Sequence, residues 1–446
     1  MAEMNGHEPR DQYGGWTGLK FEATGFFRIE HADRWWFVTP EGNAYLSLGL
    51  NHVEPDMMHY PYNARYWAKE LGLGKETNLE AYLPGYQAKV LADMQHLGMS
   101  ALGGHSPQWP YAKSILPYVY ELRFADVCHF MTPSESDFWD VFAPEFEAHC
   151  DRMARERVLS RRQDPYLMGY YMVDGPILTE LDAAERPDCI YGKIRPQLPT
   201  WPRVLRNKPA ACPGKQAYVD TMREIYRDDI SAFNRTYDTP FASFHVLLLA
   251  EQWRTYFDLD NALEMRDNAT FLTKVLDRRY QIETAAIRRY DPNHMIFGDK
   301  MNCNTDTTND QLRIASKYFD LLFLQFYGLW QEQEQLMDRF TSASDLPFLQ
   351  GDAAISVPDQ EMPSPFGPHC PDQTGRARET DRALRQALAR DDFLGWHWCG
   401  WMDRWRQVQP NKQHSGLQDP FGNWYPVADT LAQISHDLYA IALAKD

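Results

Sequence analysis

The sequence predicts a (β/α)8 barrel, an α/β fold, and three observations carry that expectation. Eight short apolar runs alternate with helix-length stretches along 446 residues. Several of these runs end in polar or ionisable residues, as strands do when they deliver side chains to one face of a barrel. No glycine-rich phosphate fingerprint follows any run, Gly103-Gly104 being too short for one, so a doubly wound nucleotide-binding sheet is the weaker alternative.

The elements follow in order. Residues 20–50 alternate as a hairpin does: Phe26, Ile29, Trp35, Phe37 and Val38 flank polar positions, and Pro40-Glu41-Gly42-Asn43 is a turn signal. Residues 1–44 are therefore read as a tail and β hairpin packed on a barrel formed by residues 45–446. The first barrel strand is 45–52, ending in Asn51 and His52. Residues 84–97 read as a helix with Tyr86, Val90, Met94 and Leu97 on one face, Pro84 in its first turn and Gly98 as its cap. The second strand, 100–105, ends in His105; the third, 115–123, carries Glu121 near its end. After a helix over 144–160, the fourth strand, 166–174, ends in Asp174.

A long insertion, 177–289, comes next. Its proline-rich part, 196–213, reads as an ordered loop over the site, and 216–236 and 262–289 as helices. The fifth strand, 295–299, ends in Asp299, with Asn302 just beyond. The sixth, 321–327, carries Gln325 and Tyr327, and the seventh, 348–352, ends in Asp352. The eighth, 393–398, contains Trp396 and Trp398 and is followed by Trp401. Shorter helices are expected over 310–318 and 375–389.

Composition narrows the function. The formal net charge is −17 and no Lys/Arg-rich run offsets it, which argues against a nucleic-acid partner. No apolar run reaches the length of a membrane span, so no membrane partner is expected. The polar stretch 1–15 lacks a secretory apolar region, and the seven cysteines show no CxxC pair; both point to free thiols in the cytoplasm. No cofactor and no metal are expected. The aromatic-rich insertion is the candidate surface for a homo-oligomer.

Carboxylates beside indole rings point to sugar chemistry, because the C–H faces of pyranose rings stack on indoles. Trp396, Trp398 and Trp401 are the stacking candidates, with Trp109 after the second strand as a further subsite. In a regular strand Trp396 and Trp398 share one face and His397 takes the other.

Three stretches resemble β-agarase-like glycoside hydrolases. They are Gly25-Phe26-Phe27-Arg28-Ile29 through Leu48-Gly49-Leu50-Asn51-His52; the helical segment with Tyr218, Tyr226, Ile230-Ser231-Ala232-Phe233-Asn234 and Phe241; and Ser415-Gly416-Leu417-Gln418-Asp419-Pro420-Phe421-Gly422-Asn423. The resemblance implies a (β/α)8 glycosidase with two carboxylates, at the ends of the fourth and seventh strands, cleaving a β-linked, galactose-containing oligosaccharide; exo action on short sugars would fit the expected cytoplasmic location. It implies Asp352 as nucleophile or base. It also implies a departure: the family's strand-four Asn-Glu falls on Asp174-Gly175, so the usual acid/base position holds no side chain.

Asp174 is then the first choice for the acid. Glu180, Asp299 and Glu121 are the other acidic candidates. Asn51, His52, His105, Asn302 and Gln325 are candidate hydroxyl binders, as are Asp299 and Glu121, and Tyr327 is placed to hydrogen-bond the strand-seven carboxylate. Because Asp is shorter than Glu, the pair is expected to stand further apart than a Glu pair, in the direction of an inverting reaction. Three other readings stay open: elimination or transfer at a glycoside, a sugar-binding barrel without catalysis, and a metal-dependent barrel using Asp299, Asp352, His52 and His105.

Overall fold

The computed structural model describes residues 9–74, 78–106, 115–187, 194–302, 307–361, 363, 367–405 and 415–444. Eight parallel strands close into a barrel: β1 (Ser47–Asn51), β2 (Ala101–Leu102), β3 (Tyr118–Glu121), β4 (Leu167–Asp174), β5 (Met295–Asn302), β6 (Leu322–Gln325), β7 (Phe348–Ala353) and β8 (Phe393–Cys399). Each strand pairs with its neighbours in sequence, and β8 closes the ring on β1 over Gly395–Cys399 and Ser47–Asn51. All eight expected strands are present.

The barrel is a filled core. Ala101, Val119, Met168, Tyr171, Met295, Phe297, Leu321, Phe323, Leu349 and Leu394 pack inside it. Tyr13, Phe27, Phe37 and Tyr45 plug it from the N-terminal side. The ring centroids of Phe37 and Phe297 are 6.2 Å apart. The plug corrects the expected hairpin. Arg28–His31 and Trp35–Val38 do pair, but Asn43–Tyr45 and Trp16–Lys20 extend them into a four-stranded antiparallel sheet. Trp16–Lys20 escapes sequence reading because Thr17, Gly18 and Lys20 give it no alternating apolar face. Arg34, in the turn of this sheet, is 1% exposed. Its guanidinium donates to the carbonyls of Leu388 (2.6 Å), Phe393 (2.7 Å) and Ala442 (2.9 Å).

Helix α1 (Leu79–Leu97) begins earlier than expected. Asn78 caps it by accepting from the Ala81 amide, so Pro84 lies within the helix, while Gly98 ends it in the left-handed conformation. Helix α2 (Pro144–Arg157) follows β3. The insertion contributes helices Trp201–Arg206, Pro213–Tyr226, Ile230–Tyr237 and Phe244–Leu249 before the long α3 (Ala262–Tyr290) returns to the barrel. Its interior is held by Arg206 and Arg254, both bound to the fully buried Glu264. Helices α4 (Asn309–Ala315), α5 (Trp330–Thr341), α6 (Gln373–Ala389) and α7 (Pro426–His436) complete the outer layer.

Four strands break the regular alternation within their length. Between β4 and β5, Ile296 pairs with Tyr170 and Gly298 with Tyr171, which leaves one extra residue on β5. Lys300 then pairs with Asp174, which leaves one extra residue on β4. Gly298 takes φ +72° to make its bulge. Between β7 and β8, Leu349 pairs with Gly395 (φ +145°), Gln350 with Trp396, and Ala353 with Trp398, so each strand again bulges once. A bulge moves every later side chain to the other face.

The Gly298 bulge is testable. A β-carbon there would lie 2.1 Å from the Phe319 ring on a backbone that L-residues avoid. Gly298→Ala is expected to lower stability by roughly 1–3 kcal/mol, read as a shift in the denaturant midpoint.

Candidate active site

At the C-terminal mouth of the barrel, β4, β5 and β7 bring together two carboxylates and one ammonium. Lys300 Nζ lies 2.8 Å from Asp174 Oδ2 and 2.7 Å from Asp352 Oδ2, and all three side chains are at most 2% exposed. Laid end to end, these contacts cap the separation of the two Oδ2 atoms at about 5.5 Å. That overturns the expectation of a wide pair. Bulges on both strands, rather than side-chain length, set the spacing. That limit falls short of the wider gap, roughly 6.5–9.5 Å, that admits a water between two carboxyls.

The remaining lone pairs are satisfied. Gln325 Nε2 donates to Asp174 Oδ1 and Asp352 Oδ2, each at 3.1 Å. Tyr327 Oη donates to Asp352 Oδ1 at 2.6 Å. His105 Nε2 bonds Asp174 Oδ2. Burial works against ionising Asp352, but Lys300, the two imidazoles and a hydrogen bond from the Cys399 thiol outweigh it and hold the carboxyl well below its usual range. Burial likewise opposes ionisation of Asp174, and Lys300 with His105 overcomes it. Burial would discharge Lys300, yet its two carboxylates push its pKa well above the ordinary lysine value.

His52 and His105 both adopt left-handed backbone conformations, with φ of +51° and +56°. Their rings stack with centroids 4.5 Å apart and planes 13° from parallel. His52, His105 and Asp352 each present an atom within 4.8 Å of the other two, a grouping that could hold a cation, although Lys300 already supplies positive charge there. A small opening lies beside His52, lined also by Cys399, Met402 and Arg404.

Other expected site residues lie elsewhere. Asp299 does not reach the mouth: the Gly298 bulge turns it outward, where Arg279 grips both its oxygens (2.8 and 2.9 Å) and Tyr280 donates at 2.7 Å. Trp396, Trp398 and Trp401 are core residues. Their indole N–H groups donate to the carbonyls of Ala353 and Ser415 and to Asp93. Trp396 and Trp398 do share a face, but the bulge at Gly395 makes it the helix-facing one. His397 takes the inner face against Ser47, where burial and Lys300 push its pKa down to about 3. Asn51 is fully buried and braces Gly351 of β7. Glu180 sits in the insertion against Thr200, and burial raises its pKa to about 7. Glu121 is at the rim, paired with Arg123. Trp109 and the side chain of Asn302 lie outside the described residues.

Sequence reading missed Lys300, Cys399, His129 and Trp405. Lys300 was hidden by strict alternation; the clue was Gly298 just before the polar pair Asp299-Lys300. His129 donates from Nδ1 to the Gly175 carbonyl at 2.8 Å. A β-carbon on Gly175 (φ +57°) would lie 2.5 Å from that nitrogen. Trp405 adjoins Arg404 of that opening and lies 5.0 Å from the Tyr62 ring.

Comparison places the chain among known proteins. No family model matches it. It is 20% identical to Beta-agarase B of Vibrio sp. (strain JT0107) over 98% of this chain, and it spans about half of that relative, 51%. A solved exo-β-agarase superposes with a TM-score of 0.74 at 19% identity, covering 98% of this chain and 68% of the other. The agarase AgWH50C superposes at 0.75 with 17% identity, covering 98% and 68%. These likenesses show the fold.

Two predictions follow from the geometry. Asp299→Ala leaves the buried Arg279 with Glu283 as its one remaining carboxylate partner among the described residues and is expected to cost about 3 kcal/mol in a denaturant melt while leaving ligand affinity of the folded protein intact. Lys300→Met is expected to destabilise by a similar amount at pH 7. Here the sign depends on pH. In the wild type both folded carboxyl pKa values are depressed, so their contribution is present above the ordinary carboxylate range and is lost as pH falls through the folded values. Without Lys300, burial dominates and raises them, so the variant recovers as pH falls. The gap in denaturant midpoint must therefore narrow between pH 7 and pH 5.

Proposed function

We propose that this chain is a glycoside hydrolase that cleaves a β-linked, agar-type, galactose-containing oligosaccharide by exo action, with Asp352 and Asp174 as its working carboxylates. The observation that carries the reading is the pair itself: two carboxylates held ionised within about 5.5 Å of each other at the barrel mouth, beside a small opening. Similarity over 98% of the chain to an agarase supports the choice of sugar and bond.

Asp352 is the nucleophile. Its partners Tyr327, Lys300 and Gln325 keep it charged and aimed, and the short spacing favours attack on the anomeric carbon with retention. His52 and Glu121 remain the hydroxyl-binding candidates. Trp405 replaces the three core indoles as the stacking candidate. Cys128, Cys150, Cys212 and Cys370 form no disulfide, and no helix among the described residues is long and apolar enough to cross a membrane. The thiols support a cytoplasmic place of action.

The filled position at Gly175 favours a second reading, a barrel that binds sugar without cleaving it. One experiment separates the two: agar-type oligosaccharides and aryl β-galactosides are offered to the wild type and to Asp352→Asn, with the product anomer followed by NMR. Hydrolysis with retention, lost by orders of magnitude in the variant, is the expected result. Binding without cleavage would establish the second reading.

A further inference from the structure

Cleaving a glycosidic bond places a proton on the departing oxygen, so the glycosidase reading above requires a donor. Neither aspartate carries that proton, since Lys300 contacts both and holds them ionised. Lys300 is fully enclosed and fixed between them. The Tyr327 hydroxyl is committed to Asp352. His397 lies beneath the mouth, fully buried against Ser47. Among the described residues, His129 spends Nδ1 on the Gly175 carbonyl, and the two imidazoles at the opening remain, with side chains 17% (His52) and 18% (His105) exposed.

They are not equivalent. His105 holds the fully buried Asp174 on Nε2, which leaves Nδ1 as its ring atom for a substrate. A buried carboxylate on one ring nitrogen fixes the tautomer and balances the imidazolium charge. The acid near His52, Glu54, is 29% exposed, stands 3.7 Å away and is engaged by Arg404. His52 lies flat against His105 and fixes its plane. The left-handed backbone at His105 is a conformation that a non-glycine residue keeps only when its surroundings hold it there. A ring nitrogen of His105 also lies within 4.8 Å of an Asp352 carboxylate oxygen, so the two side chains face one site.

We propose that His105, oriented by Asp174, protonates the leaving oxygen while Asp352 attacks the anomeric carbon. The bond from that carbon to the leaving oxygen breaks as the bond to the Asp352 carboxylate forms, and the imidazolium proton passes to the departing alcohol. Water then attacks the glycosyl ester and returns a proton to His105, and Asp352 leaves as carboxylate. Asp174 is a positioning residue: it acts through the imidazole.

The test compares two probes, phenyl β-galactoside, whose leaving group needs a proton, and 2,4-dinitrophenyl β-galactoside, whose leaving group departs without one. His105→Gln is expected to lose about 10²–10⁴-fold in kcat/KM on the phenyl probe and to be spared on the dinitrophenyl probe. Asp174→Asn, which keeps the imidazole, is expected to show the same selectivity more weakly. It carries the test if His105→Gln does not fold. Asp352→Asn is expected to lose both probes. Equal losses on both probes in the His105 and Asp174 variants would reduce the pair to a scaffold and overturn the proposal while the glycosidase reading stands. Activity abolished by EDTA and restored by zinc would overturn it in favour of a cation held by His52, His105 and Asp352. A wild type that cleaves neither these probes nor agar-type oligosaccharides would end both readings.

Discussion

The mouth of this barrel is organised around one buried ammonium. Removing an ion from water costs several kcal/mol, and Lys300, Asp174 and Asp352 are all removed from it. The arrangement is tolerable because each charge has a partner at hydrogen-bond distance and each leftover lone pair has a donor: Gln325 spans the two acids, Tyr327 and Cys399 serve Asp352, and His105 serves Asp174. None of these groups can move alone. The two carboxylates and one ammonium leave the trio with a surplus of one negative charge, which faces the imidazoles. The charge pattern of the site thus descends from a single side chain on β5.

The architecture was readable in the sequence, because buried parallel strands are apolar runs and helices carry caps and amphipathic faces. Asp174, Asp352, His52, His105, Gln325 and Tyr327 were readable as strand-end groups and are brought together here. What failed was the assumption of period two to the end of each strand. Bulges at Gly298 and Gly395 invert the faces of the residues that run on from them to the mouth. Asp299 and Lys300 therefore exchange places, and the tryptophans of β8 go outward while His397 comes in. Two glycines in unusual conformations carried that information, and the hydropathy pattern did not.

A second regularity separates structural from site acids. Acids that face the helices are matched to arginine or held among helix side chains, as Asp299 is by Arg279, Glu264 by Arg206 and Arg254, and Asp93 by Lys89, Gln418 and the Trp401 indole. Arginine's rigid fork suits permanent, fully desolvated pairs. The inner acids instead share one lysine, a compact charge with three donors that two carboxylates can approach from different strands. The indoles sort in the same way: those of Trp396, Trp398 and Trp401 spend their N–H groups on core acceptors, the mark of packing residues.

Arg34 has a bearing on how the chain assembles. Its guanidinium sits in the N-terminal plug, yet its three shortest hydrogen bonds go to the carbonyls of Leu388, Phe393 and Ala442, near the other end of the described chain. Until those segments arrive the cation has, within the plug, only the Trp35 carbonyl at 3.4 Å and the face of the Trp36 ring, which is too little to offset its burial. The seam between β8 and β1 joins the same distant regions. Closing the ring, sealing its floor and docking the last helix are therefore one cooperative event late in folding. Its slowest part is the search that brings together positions more than three hundred residues apart, a span set by Arg34 and Phe393.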